Sequence, residues 1–206
     1  MQGLIRKTLI HGLVPIERAI GPVHWPVKQR FVTEGDIDRV LAVAKPADAF
    51  VTRTRGCLIN LPIPGFWSHA ALYLGEGLVL EATGCGVHTT SLKTFMLGKT
   101  PVAGEEIALG KDFMRVLTPN FEISETQRRE IACLGLKQCG LPYDYGFEFA
   151  TNAFYCAEVV WWTYLRIMNF EPFETQNTLK ISYATPDDLA VSSKWNCPLQ
   201  VGGTVK

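Results

Sequence analysis

A chain of 206 residues suits one domain with its own core rather than two, since domains commonly hold ~100–200 residues. Twenty Lys and Arg balance twenty Asp and Glu, so no net basic field draws in a phosphate backbone, which argues against nucleic acid as a partner. Charged residues make up 19% of the chain, below the roughly 25% usual for soluble domains, and 47% are hydrophobic; this excludes a disordered chain and implies a large core or apolar surface left for a partner.

Residues 2–14 set Leu4, Ile5, Leu9 and Leu13 at helical spacing, with Arg6, Lys7 and His11 turned elsewhere, until Pro15 interrupts the pattern. This short helix is expected to pack on its own domain. A second reading lets residues 1–20 lie in a membrane interface and bring a lipid-like substrate to the protein. The N-terminus lacks the small-residue cleavage site of a secretory signal, so a cytoplasmic location is expected, membrane-associated if the second reading holds. No apolar run approaches the ~18 residues of a membrane span.

Thr33 followed by Asp36 resembles a helix-opening capping box, which predicts a helix over 34–44 that Lys45-Pro46 ends. Strand-like texture follows at 49–54, 68–74, 78–83, 86–90 and 113–118, separated by Gly and Pro clusters. Residues 125–138 and 155–168 read as helices, the second apolar on every side and therefore buried. Strands with hairpin-length connections, followed by helices, predict an α+β domain with an antiparallel sheet packed on that buried helix. The six cysteines, at 57, 85, 133, 139, 156 and 197, form no CxxC pair, and a chain of this length needs no disulfide staples; reduced thiols are expected.

Chemistry concentrates in two places. In the hairpin Ser68–Thr83, a three-residue loop at 75–77 would pair Leu74 with Leu78 and Ala71 with Glu81. His69 and Glu81 then share a face, diagonally across the ladder at about 7–8 Å, a gap a Glu side chain bridges. A two-residue loop would separate them onto opposite faces. Taken alone, each is an ordinary core or solvated residue. The second place is Tyr155-Cys156-Ala157-Glu158, where a cysteine occupies the first turn of the buried helix. Free N–H groups and the helix dipole stabilise a thiolate there, and a neighbouring imidazolium lowers its pKa further. Nucleophile, base and orienting carboxylate are thus Cys156, His69 and Glu81. Glu158 is a rival carboxylate, but at about 100° per residue it points away from Cys156 and reads as a cap of its helix. Tyr143 either donates its hydroxyl to an oxyanion, beside the N–H of Cys156, or simply packs. Cys133 and Cys139 read as small core residues.

The blocks PGFWSHAALYLG (64–75), VLEATG (79–84), LPYDYGFEF (141–149), FYCAEVVW (154–161) and TPDDLAVS (185–192) together resemble the permuted papain-like amidases, the YiiX/YebB-like branch of the NlpC-type cysteine peptidase superfamily. The resemblance covers roughly residues 45–195. It implies a circularly permuted papain-like fold over 45–206, with 1–44 a helical extension, and a Cys-His-Glu site on Cys156, His69 and Glu81. It also implies a cysteine hydrolase or acyltransferase acting on an amide, ester or thioester of a peptidyl or lipid-like substrate, without metal or organic cofactor. Relatives range from cell-wall peptidases to lipid-handling enzymes, so the substrate stays open, as does the oligomeric state. A catalytically silent lipid- or peptide-binding module of the same fold is the alternative. A zinc site of Cys85, His88 and His69 is a weaker third reading, since Cys85-Gly-Val-His88 supplies only two close ligands.

Overall fold

A computed structural model describes residues 23–25, 27, 29–61, 63, 65–98, 109–147, 149, 152–178 and 181–204. The helix expected over 2–14 lies outside them. Helix α1 spans Gly35–Val43. Thr33 fixes its entry: the Asp36 carboxylate accepts the Thr33 N–H at 2.9 Å and the hydroxyl at 3.0 Å. Val32 and, from the helix, Val40 are buried against the sheet, so α1 shares the core of the domain drawn from residue 45.

Strands β1 (Ala49–Arg53), β2 (His69–Gly75), β3 (Leu78–Thr83) and β4 (Gly86–Ser91) follow, then helix α2 (Leu92–Leu97) and strand β5 (Phe113–Pro119). Helices α3 (Glu125–Leu136) and α4 (Cys156–Met168) precede a small hairpin of β6 (Gln176–Thr178) and β7 (Ile181–Tyr183), helix α5 (Pro186–Val191) and strand β8 (Trp195–Gly202). Six strands form one antiparallel sheet in the order β4-β3-β2-β1-β5-β8. Side-chain alternation gives the sheet two apolar faces. Ala70, Leu72, Leu80 and Leu117 pack under α3, α4 and α5, while Phe50, Ala71, Tyr73, Val79 and Met114 pack under α1 and α2.

The β2–β3 hairpin corrects the expected turn. The loop has two residues, Glu76 and Gly77, both at positive φ (51° and 71°), with Gly75 paired to Leu78. Such a loop on regular strands would pair Tyr73 with Leu80 and turn His69 and Glu81 to opposite faces. A bulge at Leu74 absorbs one residue and restores the pairing of Ala71 with Glu81. The expected face-sharing therefore holds through a different local device.

Helix α3 opens with a reciprocal cap: the Ser124 hydroxyl accepts the Gln127 N–H at 3.2 Å and Gln127 accepts the Ser124 N–H at 2.9 Å. Arg128 on α3 reaches beneath the sheet edge to Asp48 at 2.9 Å, an ion pair buried on both sides. Asp48 also accepts from Thr118 at 2.8 Å and from the Lys45 N–H at 2.9 Å, so the buried carboxylate is satisfied from three directions.

Candidate active site

Helix α4 starts at Cys156 and is buried along most of its length, as its apolar sequence requires. Glu158 is buried too, and its carboxylate accepts the Tyr155 N–H at 3.3 Å, capping the helix from within. The helix packs on the Ala70–Leu72 face of β2, and its first turn meets the start of that strand. The Cys156 Sγ there lies near His69 and the backbone N–H groups of Ala70 and Ala157, all of which favour its charged form.

His69 is the first residue of β2, and its side chain lies on the other sheet face, with Ala71 and Tyr73. Nucleophile and base thus come from opposite layers and meet where the strand ends. The His69 Nε2 is 2.8 Å from Glu81 Oε2, which leaves Nδ1 for the thiol. The Phe95 ring of α2 closes the site from beside His69, with centroids 6.1 Å apart.

Burial disfavours charge on all three groups, and their mutual contacts overcome it. For His69, hydrogen bonds to Cys156 and Glu81 outweigh burial and push its pKa up to about 9. For Glu81, burial is outweighed by the hydrogen bond of His69 and the nearby His88, which hold the carboxylate far below its ordinary range. The Cys156 thiol is lowered despite burial, by His69 and by the two backbone N–H groups. A thiolate facing an imidazolium is the state these contacts favour.

The structure also brings in residues that lie outside the Cys-His-Glu reading. His88 stands directly opposite Glu81 in the β3–β4 ladder, its Nε2 3.6 Å from Glu81 Oε1 and its Nδ1 donating to Gly86 O at 3.0 Å. One carboxylate therefore faces two histidines, and its proximity raises the His88 pKa. Only the register of the β3–β4 hairpin could have shown this. Helix α5 is the second addition. Thr185 and Asp188 cap it reciprocally, with Pro186 at its first position. From this turn Asp187 accepts the Trp67 N–H at 2.6 Å, two residues before His69, and the Ala184 N–H donates to the Tyr155 hydroxyl at 2.8 Å, one residue before Cys156. A single turn thus braces the approaches to both base and nucleophile.

Tyr143 lies beside the start of α4: its backbone bridges Phe154 in parallel, and its ring meets Tyr145 edge-on at 4.8 Å. Of the zinc set, Cys85 is exposed and His88 is turned to Glu81 and Gly86. Among the described residues no three His, Cys, Asp or Glu side chains gather as a metal site would need. Cys133 and Cys139 are exposed, contrary to the expectation of core packing, because they fall on the outward side of α3 and just beyond its end.

Residues 46–199 match the model of the permuted papain-like amidase enzymes, the YaeF/YiiX, C92 family. Among solved structures, the metalloprotein YiiX from Escherichia coli O157:H7 is similar, with a TM-score of 0.52 at 15% identity over 77% of this chain and 98% of that one. No curated protein gives a significant match. The order of histidine strand before cysteine helix, on an antiparallel sheet packed against that buried helix, agrees with a circularly permuted papain-like fold. The chain belongs to the permuted papain-like amidase family.

Proposed function

We propose that Cys156, His69 and Glu81 form the working site of a cysteine hydrolase of the amidase type, the role that family membership supports. The observation that carries this reading is the first-turn Cys156 brought beside His69, whose Nε2 lies 2.8 Å from Glu81 Oε2. The thiolate attacks the carbonyl carbon of an amide, ester or thioester, and a tetrahedral oxyanion forms. His69 gives its proton to the leaving nitrogen, oxygen or sulfur as that bond breaks, leaving an acyl-Cys156 thioester. Neutral His69 then takes a proton from water, whose oxygen attacks the thioester and releases the acid with the thiolate regenerated. An alcohol or amine in place of water makes the same site an acyltransferase. Glu81 holds the imidazole in orientation and stabilises its charged form. Tyr143, on the segment that runs beside Phe154, is assigned to the oxyanion or to substrate positioning. The sequence of steps needs no cofactor. A lipid-linked or cell-wall peptide fits the chemistry as substrate.

Intact-mass spectrometry after incubation with lipid and peptidoglycan extracts tests this. An acyl adduct on Cys156, absent from Cys156→Ser, is expected, and its mass names the substrate class. Non-covalent retention of a lipid or peptide by both forms, with no adduct, would instead establish the silent binding module.

A further inference from the structure

One cation beside this site has no task in the chemistry above. Lys111 lies just before β5, its backbone clamped by its N–H donating to Met96 O at 2.8 Å and its carbonyl accepting from Val32 at 3.3 Å. Its ammonium sits 4.8 Å over the Phe95 ring, and the same ring packs beside the His69 imidazole. Its charge reaches Glu81, Cys57 and Cys156, while burial pushes its pKa down. The neighbouring cations are already engaged: Arg30 and Arg55 share Asp112 at 2.6 and 3.0 Å, and Arg53 donates to the Phe66 carbonyl. Lys111 forms no ion pair with any described residue. A half-buried ammonium against an aromatic face, in direct ion pair with no described residue and near the charges of Glu81 and Cys156 only at longer range, is placed to receive an anion brought by a ligand.

A second unpartnered group lies close by. Thr52 is fully buried, and its Oγ1 has no hydrogen-bond partner among the described residues. It pairs with His69 across the β1–β2 ladder, on the same sheet face. The face that holds the base thus carries an ammonium and a hydroxyl that acyl transfer itself leaves unused.

We propose that Lys111 is a specificity-determining residue, selecting acyl donors that bear a carboxylate close to the scissile carbonyl. This rests on Cys156 as the nucleophile. A monoanion matches one ammonium; a phosphate dianion calls for the fork-like donors of arginines that Asp112 and the Phe66 carbonyl already occupy.

Two alkylating probes of similar size, iodoacetate and iodoacetamide, differ in this carboxylate. The ratio of their rates at Cys156, read by peptide mapping, measures the selection. Lys111→Met should lower the ratio about fivefold or more, the scale of one partly screened unit charge, and Lys111→Arg should largely keep it. In the unsubstituted protein, added salt should lower the ratio as well, a measurement that needs no variant to fold. Equal ratios in the Lys111→Met and unsubstituted proteins, or a salt-independent ratio, would overturn the proposal. If mapping finds the label on another cysteine in the unsubstituted protein, the nucleophile assignment fails and this inference goes with it.

Discussion

Cys156 and Glu81 are buried and His69 is half-buried, and burial disfavours the charged form of each. Their mutual contacts work the other way: Glu81 favours the proton on His69, and His69 favours the Cys156 thiolate. The sign of the pH dependence follows. The His69 pKa is raised to about 9, so the imidazolium is present below that value and activity falls as pH rises through it. Glu81→Gln removes the carboxylate that supports the charge. Its basic limb should shift from about 9 toward the ordinary histidine range near 6.5, with kcat/KM reduced about 10²–10⁴-fold. A pH–rate profile on a chromogenic ester checks this. Full activity with an unmoved limb would remove Glu81 from the site. These three residues were legible because a cysteine in the first turn of an apolar helix and a His/Glu hairpin are local patterns. The contacts of His88 with Glu81 and of Lys111 with Phe95 were not, since they depend on the β3–β4 register and on the backbone bond from Lys111 to Met96.

At the scale of elements, the hairpin and α5 set the geometry of the site. The expected three-residue loop gave the right facing for the wrong reason, because the bulge at Leu74 corrects a two-residue turn. Bulges leave little trace in hydrophobic alternation. Helix α5 has a local signal in Thr185-Pro186-Asp187-Asp188, a capping box with proline at the first position. Its brace on the Trp67 N–H is testable. Asp187→Ala leaves that N–H without its partner, at a cost of about 1–3 kcal/mol, and frees the segment leading to His69. The expected result is a lower kcat with the basic limb still near pH 9, because the Glu81–His69 contact survives. Urea unfolding and a pH profile together measure both effects. Unchanged kcat at reduced stability would make the brace purely structural.

Across the whole molecule, strands β1 to β5 and helices α1, α3 and α4 fall within two residues of their sequence-read bounds, because alternation and helical spacing are strong there. Strand β8 leaves little trace in the sequence: Pro198 interrupts its pattern and three consecutive residues are exposed, so its place at the sheet edge rests on backbone pairing with β5. Among the described residues no helix is long and apolar enough to cross a membrane. The apolar stripe of Leu4, Ile5, Leu9 and Leu13 is expected to pack on its own domain. Removing residues 1–20 should therefore lower Tm without changing co-sedimentation with anionic liposomes. A full chain that binds such liposomes, and loses them on truncation without losing stability, would establish a membrane-interface helix instead.

The central claim is that His69 lowers the Cys156 pKa and so favours its thiolate. Alkylation by iodoacetamide across a pH series, followed cysteine by cysteine, tests it most directly. Cys156 should react first at about pH 6, well below the ordinary thiol range near 8.5, and His69→Ala should move its profile up to that range. Faster reaction at Cys57 or Cys85, with labelling unchanged in Cys156→Ser, would contradict the assignment.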